Sequence, residues 1–101
     1  MIFMGTYTLP SNKSEEWMKC ISDMAGNALS SSIKKWQTFT CVDGDRYKGY
    51  NLIFSEKGKG DEALLEINKV MLPFRQIEGA SWKIESLMGV TDSFKVLGKS
   101  R

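Results

Sequence analysis

Along this chain the spacing of apolar residues switches between a period of two and a period near 3.6. The switches mark out elements in the order strand, helix, strand, strand, helix, strand. Residues 2–9 are rich in β-branched and aromatic side chains and stop at Pro10, which predicts a first strand. The polar run Ser11-Asn12-Lys13-Ser14 offers N-cap side chains, and Glu15 and Glu16 suit the positive end of a helix. Trp17, Met18, Ile21, Met24, Ala25 and Ala28 then share one arc of a helical wheel, with Glu15, Glu16, Lys19 and Asp23 opposite. An amphipathic helix ending near Gly26 or Asn27 is expected.

Residues 33–42 read as a second strand and residues 46–54 as a third, joined by the turn chemistry of Asp43-Gly44-Asp45. A Lys- and Gly-rich loop over 56–60 leads to Asp61 as N-cap of a second helix carrying Leu64, Leu65, Ile67, Met71 and Leu72. Pro73 is expected to end or kink it, since an interior proline costs about 3 kcal/mol. A last strand spans 81–88. Residues 90–97 suggest a short terminal helix, capped by Thr91 or Asp92 and closed by Gly98. The whole is one α+β domain, residues 1–101, with a four-stranded antiparallel sheet and two helices on one face. That is the ferredoxin-like order β-α-β-β-α-β.

A sheet with one wet face alternates apolar and polar residues. These strands do not. The first carries Ile2 and Met4 in one phase and Phe3, Tyr7 and Leu9 in the other. The third carries Tyr47 and Ile53 against Tyr50, Leu52 and Phe54, and the fourth Trp82, Ile84 and Met88 against Leu87. Two helices cover only one face, so a homodimer through the other sheet face is expected.

Composition narrows the classes. A chain of 101 residues with 42% hydrophobic and 26% charged positions is ordinary globular protein. Its net charge of +2 comes from scattered residues, so no nucleic-acid footprint is visible; Lys95, Lys99 and Arg101 read as a solvated basic tail. Cys20 and Cys41 are too few for a disulfide framework, lack metal-site spacing and read as small hydrophobes. There is no signal-like leader and no membrane-length apolar run, so a cytoplasmic protein without membrane attachment is expected.

The opening MIFMGTYTLP, the hairpin around VDGDRYKGYNLI and the ending GASWKIESLMGVTDSFKVLG resemble small proteins of the dimeric α+β-barrel group, which includes antibiotic-biosynthesis-monooxygenase-like domains. The similarity covers essentially the whole chain and is strongest to uncharacterised small families of the group. It implies a homodimer with sheets packed face to face. It also implies a cleft between helices and sheet in each subunit, where relatives hold aromatic substrates or haem. Haem-degrading relatives use an axial histidine. This chain has no histidine, so histidine-ligated haem is excluded.

The missing histidine also removes Ser-His and Cys-His nucleophilic pairs. Glu85, within the last strand, is a candidate base, weighed against a paired or exposed carboxylate. The segment 56–61 superficially suggests a phosphate loop, but it lacks the G-x-x-x-x-G-K-[ST] spacing, and Asp61 and Glu62 would repel an anion. Asn68 falls on the helix arc expected to face the sheet, and Asn51 lies mid-strand; a buried amide there is either satisfied by protein or aimed at a ligand. The aromatics Tyr7, Trp17, Trp36, Tyr50 and Trp82 offer walls for a flat ligand. The candidate ligand-binding set is therefore Tyr7, Trp36, Tyr50, Asn51, Asn68 and Trp82, with no metal, cofactor or catalytic residue assigned. The leading expectation is a small-molecule-binding module whose cleft takes an apolar or aromatic compound. Its rivals are a cofactor-independent monooxygenase or isomerase acting on an aromatic or quinone-like substrate, and a non-catalytic structural dimer.

Overall fold

Alternation is strict where the chain needs it most: residues at odd positions of the first strand are buried and those at even positions only half so. The computed structural model describes residues 1–98 as β1 (Ile2–Pro10), a 3₁₀ turn (Ser11–Lys13), α1 (Ser14–Ala25), β2 (Ile33–Asp43), β3 (Arg46–Ser55), α2 (Gly60–Arg75), β4 (Ser81–Leu87) and α3 (Val90–Val96). The strands form one sheet of order β2-β3-β1-β4, every neighbouring pair antiparallel. Lys99 and Arg101, read above as part of a basic tail, lie outside the described residues.

β2 and β3 meet through the two-residue loop Gly44-Asp45, where Gly44 has φ +63°. A II′ hairpin turn places a positive φ at its first central residue, which glycine adopts without a Cβ clash. α1 and α2 cover one face. Their core, with Phe3, Tyr7, Leu9, Ile53, Ala63, Ile67, Met71 and Phe74 all buried, leaves the sheet's other face bare. The Cα trace is only 17 Å across its thinnest axis, the thickness of one sheet plus one helix layer.

Several expectations need correction. α2 runs through Pro73 to Arg75, ending at Gln76. Proline forfeits one bond, to the Lys69 carbonyl, and at an exposed site in the last turn water can take its place. The stripe of α2 that meets the sheet is Ala63, Ile67, Met71 and Phe74. Leu64, Leu65 and Leu72 point outward. No side chain caps the N-terminus of α1 or α2: a 3₁₀ turn precedes α1, and α2 begins at Gly60 rather than after Asp61. Met88 falls just beyond β4, and Met18, expected in the apolar arc of α1, is 58% exposed.

Two strand glycines make room for rings on the covered face. A Cβ on Gly49 would stand 2.1 Å from Tyr7 Cζ, and one on Gly5 would stand 2.4 Å from Trp82 Cη2. Neither separation is tolerated by real atoms, so both aromatics lie directly on backbone.

Candidate functional site

The polar centre of the covered face is Asn51, 1% exposed in the middle of β3. Its Oδ1 accepts from Trp36 Nε1 at 3.0 Å and from Thr38 Oγ1 at 2.9 Å, while its Nδ2 donates to the Gly5 carbonyl at 3.2 Å. Trp36 and Thr38 are cross-strand partners of Ile53 and Asn51, on the edge strand β2. The network therefore locks a half-buried indole at the sheet margin. Beside it, between the end of α1 and β2, opens a notch of about 250 Å³ lined by Met24, Ala25, Asn27, Leu29, Trp36 and Thr38. Thr38 and Leu29 are not singled out by the sequence and Met24 enters there only as part of the apolar arc of α1, although the two-residue step from Trp36 to Thr38 already places both on one face.

A second constellation lies at the other end of the same face. Trp17 Nε1 donates to the Tyr7 hydroxyl, and the Trp17 ring stacks on Tyr47 with centroids 6.0 Å apart. Tyr7 also packs against Phe74, at 5.1 Å between ring centroids. Burial pushes the Tyr7 phenol above its ordinary value, opposed by the Trp17 hydrogen bond. A raised folded-state value means that the stability Tyr7 contributes is complete below the unfolded phenol value, near pH 10, and is lost as pH rises through the folded one. Urea unfolding followed from pH 9 to 11.5 is expected to show a flatter alkaline decline for Tyr7→Phe than for the parent; parallel curves would contradict it.

The remaining candidates separate. Trp82 shares the covered face with Tyr7, its cross-strand partner, and its buried Nε1 has no hydrogen-bond acceptor among the described residues. Asn68 is half-buried on α2 and turns its amide back to the Leu64 carbonyl at 2.9 Å, away from the notch. Tyr50 does not share the face of Trp36 and Asn51: it lies on the bare side of the sheet. Trp36 and Asn51 are thus brought together, Tyr7 and Trp82 adjoin elsewhere on that face, and Tyr50 and Asn68 stand apart.

The bare face is ordered in cross-strand rows. The first holds Lys35, Phe54, Ile2 and Leu87; the second Gln37, Leu52, Met4 and Glu85; the third Phe39, Tyr50, Thr6 and Lys83; the fourth Cys41, Lys48, Thr8 and Ser81. Apolar residues fill the middle of the first two rows, with Lys35, Gln37 and Glu85 at their margins. The last two mix the hydroxyls of Thr6, Thr8, Tyr50 and Ser81 and the ammonium groups of Lys48 and Lys83 with Phe39 and Cys41 at the β2 edge. Glu85 is exposed and pairs with Lys83 at 3.4 Å, so it is no buried base, and Cys41, expected as a small hydrophobe, is exposed. Arg46 Nη2 donates to Thr8 Oγ1, which is 2.7 Å from Ser81 Oγ. A groove of about 420 Å³ between α1 and α2 is larger than the notch, and its lining residues, like those of the notch, are half-buried or exposed. Among the described residues no three metal-ligating side chains converge, and no helix is long and apolar enough to cross a membrane.

No family model matches this sequence, and no curated protein does. Among solved structures, the chain is similar to a formyltetrahydrofolate deformylase from Pseudomonas putida KT2440, at 8% identity and a TM-score of 0.40. The likeness covers 86% of this chain and 29% of the deformylase. At that level it carries no argument about function. What stands is an α+β domain with a four-stranded antiparallel sheet and three helices.

Proposed function

We propose that this protein is a homodimer of ferredoxin-like subunits, joined by their bare sheet faces as in dimeric α+β barrels. Each subunit binds an apolar or aromatic small molecule in the notch beside Trp36. The observation that carries the ligand reading is the Asn51 network. A buried amide in the centre of a sheet is a costly choice where an aliphatic residue would pack. Here its Oδ1 is spent on holding one indole, half-open to an apolar notch, in a single orientation. Fixed aromatic planes of this kind favour flat ligands, because little side-chain freedom is lost on binding.

The dimer reading rests on the anatomy of the bare face, where Phe54, Ile2, Leu52 and Met4 form an apolar patch flanked by Lys35, Gln37 and Glu85. Four strands about 4.8 Å apart and seven residues of about 3.3 Å each give a face of roughly 440 Å² in projection. With side-chain relief, that is of the order of the ~800 Å² per partner of a standard interface. A second copy of the same sheet matches it in size and flatness. Leu52→Glu is expected to convert a dimer to a monomer in sedimentation at micromolar concentration, weakening association at least ~100-fold, with the circular dichroism of the fold retained. A stable wild-type monomer would refute the interface.

One observation favours the structural rival: the interior between helices and sheet is packed by Tyr7, Ile67, Met71 and Phe74, so the only helix–sheet opening described is the notch at its margin. A thermal-shift screen against aromatic metabolites decides between them. A binding reading expects at least one compound to raise the melting temperature of the parent and not of Trp36→Leu. Compounds that stabilise both proteins equally, or none at all, would leave the structural dimer.

A further inference from the structure

The two edges of the sheet are unlike. β4 carries Lys83 and Glu85, both exposed, as edge strands do when they are guarded against pairing with another chain. β2, the opposite edge, has neither a charge nor a proline from Trp36 to Val42. Thr38, Phe39, Thr40 and Val42 all favour strands and are all exposed, Val42 at 69%. No strand lies on the outer side of β2, so its outward backbone groups form a template for an added strand.

The sequence of β2 also selects the strand that fits. The bulge between Ile33 and Lys35 leaves residues 35–43 as its regular part, with Phe39 at the midpoint. Two copies paired antiparallel over that whole stretch meet about a two-fold axis at Phe39. Lys35 then faces the partner's Asp43 at each end, Trp36 faces the partner's Val42, Thr38 faces the partner's Thr40, and Phe39 faces its own copy. Opposite charges, aromatic pairs and hydroxyl pairs are the favourable cross-strand couples. Moving the axis by one residue sets Lys35 against Cys41 or Asp43 against Gln37, and both ion pairs are lost. Asp43 already holds Lys48 through Oδ2 at 2.9 Å, but it is 64% exposed, and a carboxylate accepts more than one donor.

We propose that β2 pairs edge to edge with β2 of a second copy, so that one antiparallel sheet runs through both. The pairing uses neither sheet face and stands whether or not the bare faces associate. It is narrower than a standard interface, and so weak and dependent on concentration. It also brings the partner's Thr40 and Val42 alongside Thr38 and Trp36, which line the notch. In the ligand reading above, the second copy supplies the notch with its outer wall.

Leu52→Glu, which removes the face-to-face contact, isolates the edge. At about 1 mM, enough to populate a weak complex, this variant is expected to sediment as a reversible dimer. Adding Thr40→Lys and Val42→Lys, on the side of the sheet away from the bare face, is expected to leave it monomeric. Adding Lys35→Glu or Asp43→Lys alone is expected to weaken association at least about tenfold. An equimolar mixture of those two proteins is expected to regain it, because opposite charges then face each other at both ends. Gln37→Cys, oxidised with glutathione disulfide, is expected to trap a bond from position 37 of one copy to Cys41 of the other, with circular dichroism confirming that each variant folds. A Leu52→Glu protein that stays monomeric, a dimer that survives the two lysines, or a mixture no better than its components overturns the pairing and leaves the edge to a different chain. A parent that is monomeric at micromolar concentration refutes the face-to-face dimer alone, and the same samples at about 1 mM then decide the edge.

Discussion

Gly49→Ala is expected to lower stability by about 3 kcal/mol, at the upper end of ordinary overpacking costs, which for a domain of this size lowers the melting temperature by roughly 12–24 °C. On an exposed strand the same change would be neutral or favourable, since alanine loses less backbone entropy than glycine on folding. Here the new methyl would sit 2.1 Å from Tyr7 Cζ. The ring cannot step aside cheaply, because its hydroxyl is held by Trp17 and its face lies against Phe74. Removing the ring isolates the effect. In a Tyr7→Leu background, Gly49→Ala is expected to cost less than about 1 kcal/mol, a coupling that urea melts of the four proteins would read directly. Additive losses across that cycle would show that the clash is not what makes Gly49 indispensable.

The second large effect is expected at Asn51. Asn51→Leu keeps the branching at Cγ and removes the acceptor shared by Trp36 Nε1 and Thr38 Oγ1. Buried donors left without partners cost about 1–3 kcal/mol each. Trp36 and Thr38 retain some access to water, so a combined loss of about 3 kcal/mol is expected, together with a red-shifted Trp36 emission as the indole is released. Trp17→Phe/Trp82→Phe provides the background in which that emission is read alone. Asn68→Ala is the contrasting case. Its amide only bonds back to the Leu64 carbonyl on its own helix, and the change should stay within about 0.5 kcal/mol in chemical denaturation. Equal losses at the two asparagines would contradict the assignment of Asn51 as the organising polar group.

The order of elements was legible because each rests on a local signal: alternation in β1 and β3, the helical arc of Trp17, Ile21 and Met24, and glycine in the hairpin loop. The face of α2 was not. Its large leucines dominate a wheel drawn from sequence, yet the surface that meets the sheet uses Ala63, where close approach needs a small side chain, and Phe74, beyond the proline that was expected to stop the helix. Misplacing that face also misplaced Asn68. Tyr50 and Asn51 were grouped as one site although successive strand residues point to opposite sides of a sheet; parity alone separates them. The Asn51 network itself depends on β2–β3 register, which brings Thr38 opposite Asn51 and Trp36 opposite Ile53. That register follows from the two-residue loop Gly44-Asp45, one residue shorter than the turn Asp43-Gly44-Asp45 read from sequence, and that one residue decides which β2 side chains stand opposite Asn51.

The two glycines beneath rings carry a consequence for how this chain can change over time. Gly49 is constrained only as long as a large ring occupies position 7, and Gly5 only as long as one occupies position 82. A lineage that first trades either aromatic for an aliphatic residue frees its glycine to vary, whereas one that tries the glycine first meets an impassable step. Descendants of this sequence should therefore show positions 5 and 82, and positions 7 and 49, changing in pairs, with the ring always the earlier to go.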